Sequence, residues 1–428
     1  MNEHDSQRMA SILKREGYQL TDDIKDAGLV LINTCSVREN PENKVYSLLG
    51  RLSRIKRNKP DLIIGVAGCV AQQEGESILK RVKEVDMVFG TDNVFNLPAM
   101  ITEVKQGKRA LYTGWLPREK NIQNFIPDQE LESGTVDGCK AYLAITKGCD
   151  NYCSFCIVPS TRGKLVSREK ENILEEARDL INKGAKEIQI LGQNVNSYRA
   201  GDSVFYDLLE SLASLPDLKR LRFTSPHPND WDNRLSDLMA SRATICNHIH
   251  LPFQAGADRI LDLMRRGHTA KEFLDKVSYL KQKIPGISIT TDVIVGFPGE
   301  TDEEFKETLE IVENVRFSQI YAFKYSSRPG TKAEKMEDTV PRQEKEHRLQ
   351  QLLSVQEKIQ SEILDQLMGS RQQVLIDNAH PKERGVMNGR SDNNFPISIQ
   401  DHSLEIGDLV TVEITGRRKH SLIGKSIN

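Results

Sequence analysis

Up to Pro341 the chain alternates short apolar runs with amphipathic stretches, and this alternation limits its fold more than any other feature. Ser6–Gly17, Glu42–Asn58 and Glu74–Val82 read as helices, and Gly28–Asn33 (GLVLIN), Leu62–Ala67 and Met87–Phe89 as buried strands. Apolar runs this short, without polar alternation and flanked by helices, predict a parallel sheet covered on both faces. Such sheets gather ligands at the carboxyl ends of their strands. Thr34-Cys35 and Gly68-Cys69 end the first two strands, so the two cysteines are expected side by side.

The pattern lapses over 101–138, where 105–134 mixes Gly, Pro and charge and reads as a linker. It resumes with strands at Ala141–Thr146, Glu187–Leu191, Leu221–Thr224, His248–Pro252, Ser288–Val295 and Ile320–Tyr325. Helices such as Ile173–Lys183, Ala257–Arg265, Lys271–Gln282 and Glu303–Val315 lie between them. These βα units predict a partial (β/α)6 barrel of the TIM type. A long charged helix follows from Arg342 to Met368. Beyond Gly369 short strands at Gln373–Asp377, Pro396–Gln400, Leu409–Ile414 and His420–Ile423 predict a β-barrel of about 60 residues. The expected fold class is α/β: a flavodoxin-like N-terminal domain (1–104), a linker (105–134), the partial barrel (135–365) and a small C-terminal β-barrel (367–428).

Charge narrows the function classes. Lys plus Arg number 59 and Asp plus Glu 61, a net charge of -2. That excludes a histone-like polycation and an acidic disordered solvator, and leaves room for a local basic face. The longest nearly unbroken apolar run, Leu62 to Ala71, spans ten residues, against the roughly 18 that a membrane helix needs. MNEHDSQRMA carries neither a basic n-region nor an apolar h-region, so a cytoplasmic location without membrane attachment is expected.

Seven cysteines in 428 residues are too few for a secreted disulfide scaffold. Three fall together, in Lys147-Gly148-Cys149-Asp150-Asn151-Tyr152-Cys153-Ser154-Phe155-Cys156, directly after the first barrel strand. That is the end at which such barrels keep their chemistry. One reading is a structural zinc site with Cys139 as fourth ligand. Closed zinc sites usually pair two well-formed knuckles, whereas Cys139 stands alone upstream. Three thiolates with no local fourth suit a four-iron cluster with one open iron corner.

This C-x3-C-x2-C after the first strand of a partial barrel resembles the radical SAM superfamily. The resemblance implies that Cys149, Cys153 and Cys156 bind a 4Fe-4S cluster whose fourth iron takes the amino and carboxylate groups of S-adenosylmethionine. One electron then cleaves the sulfonium and yields a 5′-deoxyadenosyl radical. The wider sequence is more specific. MNEHDS, INTCSVREN, KPDLIIGVAGCVAQQEG, KGCDNYCSFCIVPSTRGKLVSR, ILGQNVNSY, HLPFQAGADRIL, TDVIVGFPGET and NGRSDNN run in order from end to end. They look like the tRNA methylthiotransferases, and within them the 2-methylthio-N6-dimethylallyladenosine synthases (MiaB type).

That resemblance implies a methylthiotransferase N-terminal domain, a radical SAM core and a C-terminal TRAM domain. It implies conversion of C2–H of N6-isopentenyladenosine, next to the anticodon at position 37 of tRNA, into C2–S–CH3. Two S-adenosylmethionine molecules and two 4Fe-4S clusters are used, the second cluster carrying the sulfur. Cys35 and Cys69 match two ligands of that second cluster. The family's third ligand lies in a Gly-Cys-Gln stretch just before Met-Asn-Glu, and this sequence begins with that Met. A truncated start is therefore expected, with a missing strand that in a flavodoxin-like order would be interior and leave open edges in the sheet. Implied partners are the tRNA anticodon stem-loop, a low-potential electron donor and a sulfur or cluster supply protein, around a monomer.

Gln193 and Asn194, at the end of the second barrel strand, match the region that cradles the methionine amino group. Gln254 and Asp292 are further cofactor-binding candidates, and Gly296, with Gly299, would let the backbone approach the adenine. The family usually has QSGS where this chain has Gln254-Ala255-Gly256-Ala257, which leaves any hydroxyl contact there open. His248 and His250 share a strand face and suit barrel filling or a hydrogen bond better than metal binding. Arg162, Lys164 and Arg168 could meet cofactor or RNA phosphates, with exposed solvated charge as the default. Arg417, Arg418 and Lys419 form a basic turn that could meet RNA phosphates. The adenosine would flip into the barrel mouth, since C2 is unreachable in a stacked loop. Competing functions are a methylthiotransferase on threonylcarbamoyl-adenosine tRNA or a ribosomal-protein aspartate, and a non-enzymatic, metal-stabilised RNA-binding protein.

Overall fold

The computed structural model describes residues 1–35, 40–116 and 135–427. Contacts divide the chain into two units. One comprises Met1–Thr135, Thr146–Tyr152 and Cys156–Arg168, the other Val136–Ile145, Cys153–Phe155 and Glu169–Asn428. Among the described residues no helix is long and apolar enough to cross a membrane.

In the first unit Leu29–Thr34, Ile63–Gly68, Met87–Phe89 and Ala110–Tyr112 form a four-stranded parallel sheet in chain order. Strand residues alternate between two apolar layers. Ile63, Ala67 and Phe89 face Met9 and Ile12 of helix Asn2–Arg15 and Leu97 and Met100 of helix Leu97–Lys105. Ile64, Val66 and Val88 face Leu49 and Leu52 of helix Asn40–Asn58, and Ile78 of helix Glu76–Arg81. Both faces are thus covered, as the unalternating strands require.

Three details depart from the sequence reading. The helix expected at 74–82 is Glu76–Arg81, and a further short helix, Cys69–Glu74, precedes it, the two separated where Gly75 takes φ +44°. Strand Ala110–Tyr112 lies inside the expected linker, whose part 117–134 is outside the described residues. Leu29–Thr34 pairs directly with Ile63–Gly68 along its whole length, so no interior position stands open between them. The first unit also takes in Thr146–Lys147 and Val166–Ser167, an antiparallel pair, and the short helix Val158–Arg162. By sequence these belong with the barrel.

The second unit holds that barrel. Lys140–Ala144, Glu187–Leu191 and Arg220–Phe223 pair in parallel, as do His248–His250, Ser288–Val295 and Gln319–Lys324. A parallel bridge from Leu221 to Ile245 joins the two sets. Helices Ala270–Lys283 and Asp302–Val315 begin at capping boxes, Thr269 with Glu272 and Thr301 with Glu304. After the helix Arg342–Gln366, five strands close a small barrel: Arg371–Ala379, Val386–Ser391, Pro396–Gln400, Leu409–Arg417 and Leu422–Ser426.

Two buried arginines join this small barrel to the large one. Arg220 donates to the carbonyls of Arg390 (2.6 Å) and Gln373 (2.7 Å). Arg222 donates to those of Ser391 (2.8 Å) and Asp392 (2.9 Å), and its Nε to Glu187 at 3.0 Å. Asp392 in turn accepts from the Asn247 backbone N–H at 3.0 Å. The NGRSDNN segment therefore faces the large barrel, together with Gln373 and with Asp377, which pairs with Lys140.

Candidate active site

The first unit places Cys35 and Cys69 as the strand pattern demands: Thr34 pairs with Gly68, so the cysteines follow directly on neighbouring strands. Thr34 Oγ1 donates to the Ala67 carbonyl (2.6 Å) and accepts from Val70 N–H (3.1 Å), tying the two turns together. Gly68 has φ +91°, and a Cβ there would stand 2.3 Å from the Thr34 carbonyl oxygen. Only glycine fits that position. The residues after the cysteine loop pack here as well. Arg162, buried, donates to Asp5 at 2.7 Å, keeps a second buried nitrogen without a partner, and holds Cys69 in its field.

The start of the cysteine loop is anchored in the same unit. Lys147 is buried against Asp92 and donates to the Thr91 carbonyl at 3.1 Å. Burial lowers its pKa, against the pull of Asp92. Gly148 has φ +78°, and a Cβ would meet the Lys164 carbonyl oxygen at 2.2 Å. Cys149 N–H donates to the Gly163 carbonyl at 3.3 Å.

The second unit fixes the middle of the loop. Ser154 N–H donates to the Met264 carbonyl (3.0 Å), its hydroxyl to the Leu263 carbonyl (2.7 Å), and its carbonyl accepts from Ala333 N–H (2.8 Å). Arg266 Nη1 donates to the Cys153 sulfur at 3.3 Å and Nη2 to the Pro252 carbonyl at 2.7 Å. His227 and His268 flank this guanidinium, their rings 6.0 Å apart. Burial first, then Arg266, depresses His227 to about 2 and His268 to about 4, so both are neutral. His227 Nδ1 accepts from Asn229 N–H, and His268 Nδ1 faces the Arg266 carbonyl. Those partners set opposite tautomers, with a proton on Nε2 of His227 and a lone pair on Nε2 of His268. Both Nε2 atoms are buried without a partner.

Two of the expected cofactor residues carry the same signal. Asn194 is 2% exposed, and its amide nitrogen donates to Asp230 at 2.7 Å. A carboxylate only accepts, so the amide oxygen must be the group left buried without a partner. Gln254 is held at φ +75°, a costly conformation for a non-glycine residue, and also buries an unpartnered amide oxygen. Asp292 instead faces His250 (3.4 Å), whose Nδ1 meets Thr290 Oγ1 at 3.0 Å. His248 and His250 thus make hydrogen bonds, as their strand placement suggests. A cavity of about 1180 Å³ in this unit is lined by Tyr142, His248, His250 and Tyr321, and by Arg390 and Lys419 of the small barrel.

Comparison with known proteins follows the same division. A radical SAM superfamily model matches residues 143–312, a TRAM domain model 365–427, and a model described as uncharacterized protein family UPF0004 matches 1–90. The chain is 41% identical to the tRNA-2-methylthio-N(6)-dimethylallyladenosine synthase of Acetivibrio thermocellus, over 100% of this chain and 89% of that one. For the synthase of the same name from Pelotomaculum thermopropionicum the identity is 42%, over 99% and 95%. The chain belongs to this synthase family. It is a radical SAM tRNA methylthiotransferase. Among solved structures, the radical S-adenosylmethionine methyltransferase TsrM from Kitasatospora setae shares the fold at TM-score 0.57 and 15% identity, over 90% of this chain and 75% of that one. The cobalamin-dependent radical enzyme OxsB does so at TM-score 0.53 and 13% identity, over 84% and 54%.

Within that family frame several expectations change. Arg162 and Arg168 are buried, not solvated; Lys164 is exposed. The space beside Gly296 is filled by the Lys345 stem, 2.4 Å from where a Cβ would be, so the chain itself explains this glycine. Ala255 and Ala257 are buried in an apolar cluster. Arg417, Arg418 and Lys419 each meet a carboxylate: Asp365 (2.6 Å), Glu383 (3.5 Å) and Glu357 (2.7 Å). Cys139 and Cys246 are buried, and burial pushes the Cys246 thiol up to about 12, so both are protonated core residues. Gln193 is half-buried beside Asn194. Among the described residues no three His, Cys, Asp or Glu side chains stand grouped for a metal ion. What is fixed is the surroundings of Cys69, of the Cys149 backbone and of Cys153. Sequence reasoning missed Arg266, His227 and His268, whose only local trace is polar residues at strand and helix ends.

Proposed function

We propose that this enzyme methylthiolates C2 of N6-isopentenyladenosine at position 37 of tRNA, using two S-adenosylmethionine molecules and two 4Fe-4S clusters. The observation that carries the reading is full-length identity of about 41% to synthases of that name, with the cysteine triplet in place. Cys149, Cys153 and Cys156 would hold the radical cluster. Cys35 and Cys69 would supply two ligands to the second.

The residues fit the radical cluster and S-adenosylmethionine, while Cys35 and Cys69 are two of the three thiols that the family's second cluster takes. Three thiols free of disulfides offer the soft donors that iron–sulfur clusters take, and a buried guanidinium beside Cys153 suits an anionic cluster. The unpartnered amide oxygens of Asn194 and Gln254 suit a ligand that brings N–H and O–H groups, as the methionine ammonium and ribose do. When bound, cluster and S-adenosylmethionine supply one-electron cleavage and a carbon radical for hydrogen abstraction. The chain's own work is to hold, orient and exclude water. Lys147, Gly148 and the Cys149 amide fix the start of the loop, and Ser154 its middle. The adenosine would flip into the barrel mouth, at the strand ends that carry the cysteine loop. TRAM-domain cations would hold the anticodon stem-loop, since exposed ion pairs are weak and phosphates can displace their carboxylates. A low-potential donor and a sulfur or cluster supply protein complete the cycle.

The test is mass spectrometry of tRNA nucleosides from a deletion strain, alongside anaerobic reconstitution with isopentenylated tRNA. Loss of the methylthio group from isopentenyladenosine in the strain, and its appearance in vitro, are expected. Unchanged methylthio-isopentenyladenosine, with the change falling instead on threonylcarbamoyladenosine or on a ribosomal protein, would reject the choice of substrate.

A further inference from the structure

Arg266 is a charge in the wrong place for a surface residue. It follows the short helix Asp258–Leu263, is 5% exposed, and buries its Nε without an acceptor. Among the described residues its hydrogen-bond partners are a carbonyl and a thiol, not a carboxylate. Burying a guanidinium costs several kcal/mol unless an anion or a full set of acceptors faces it. A neutral thiol is a weak acceptor, whereas a thiolate that ligates iron is an anion. The Pro252 carbonyl fixes one arm of the planar fork, which leaves the other aimed at Cys153. Ser154, next in sequence, is pinned by three hydrogen bonds of its own. The Cys153 sulfur is thus positioned from its backbone on one side and from Arg266 on the other.

We infer that Arg266 is a positioning residue of the radical centre: its Nη1 donates a charge-assisted hydrogen bond to the Cys153 sulfur while that sulfur ligates the cluster. It thereby orients the middle ligand and raises the cluster's reduction potential. A donor and a positive charge beside a cluster sulfur stabilise the reduced, more negative cluster over the oxidised one. The inference rests on the reading that Cys153 is a cluster ligand.

The test uses full-length protein carrying Cys35→Ala and Cys69→Ala, so that a single cluster titrates. Arg266, Arg266→Lys, Arg266→Gln and Arg266→Met forms are reconstituted anaerobically and compared by iron content and dye-mediated redox titration. The Gln and Met clusters are expected at more negative midpoints than the Arg cluster, with Lys between them. Loss of iron from Gln and Met but not from Lys would equally support the positioning role. Equal midpoints at equal iron content overturn it. If Arg266→Met does not fold, Lys and Gln carry the test, because each keeps a donor for the Pro252 carbonyl. A Cys153→Ala protein that still binds the cluster at the wild-type midpoint would sink the ligand reading instead, which separates the two failures.

Discussion

Acid should loosen the barrel through the two imidazoles beside Arg266. His227 and His268 are neutral in the fold, with pKa values of about 2 and about 4, whereas an unfolded histidine titrates near 6.5. Between those limits the unfolded chain binds more protons, so stability is complete above about pH 6.5 and is lost as pH falls toward 4. From pH 7 to pH 5 each imidazole contributes a loss of about 1.8 kcal/mol, on the order of 3.5 kcal/mol for the pair. His248, also depressed by burial, adds to the wild-type slope. Urea unfolding can be followed by Trp231, buried in this unit with its Nε1 on Ser236, once the exposed Trp115 is replaced by Phe. The comparison is between that protein and its His227→Gln/His268→Gln form at pH 7, 6 and 5. The double variant should lose less stability on acidification, by about the amount assigned to the pair, whatever its stability at pH 7. Arg266→Met should also flatten the curve, because Arg266 is the second cause of both depressions. Parallel curves for parent and double variant would refute the argument.

Other perturbations test the scaffold around the site. Gly148→Ala, with no room at 2.2 Å from the Lys164 carbonyl, should cost on the order of 2 kcal/mol locally and abolish iron at the first cluster, with the small barrel's melting unchanged. Arg222→Met leaves buried Glu187 and the carbonyls of Ser391 and Asp392 without their donor; a loss of about 3–5 kcal/mol is expected in thermal unfolding of the second unit. For the basic turn, Arg417→Ala/Arg418→Ala/Lys419→Ala should weaken anticodon stem-loop binding and make log Kd against log salt shallower by about two units. A slope equal to wild type would remove the turn from the RNA interface.

What the sequence shows and hides divides by the distance between partners along the chain. Ser288–Val295 and Glu187–Leu191 are read to the residue because each is rich in β-branched or apolar residues and lies between glycines, Gly286 and Gly296 for the first, Gly184 and Gly192 for the second. The cysteine triplet is legible for the same reason, since its spacing is local. Val386–Ser391 is missed because Met387-Asn388-Gly389-Arg390 looks like a turn. It is a strand because Val374 to Ala379 pairs with it on one side and Pro396 to Gln400 on the other, and Gly389 is needed where a Cβ would stand 2.4 Å from the Leu375 carbonyl.

The arginines expose the same limit more sharply. In Arg220-Leu221-Arg222-Phe223 the alternation reads as one apolar face and one solvated face. Both faces are in fact buried, because the polar one is covered by carbonyls from Gln373 and Arg390 to Asp392. Arg266 is the same case with a sulfur as acceptor, from a loop 113 residues earlier. A guanidinium looks like surface in a sequence because water is its default partner. It becomes part of a site when the fold brings it acceptors that water would otherwise have matched, and those acceptors are main-chain carbonyls and a thiol, which hydropathy does not register. In this family fold the proposed metal ligands can therefore be read from spacing, while the charge proposed to tune them shows only once the chain is folded.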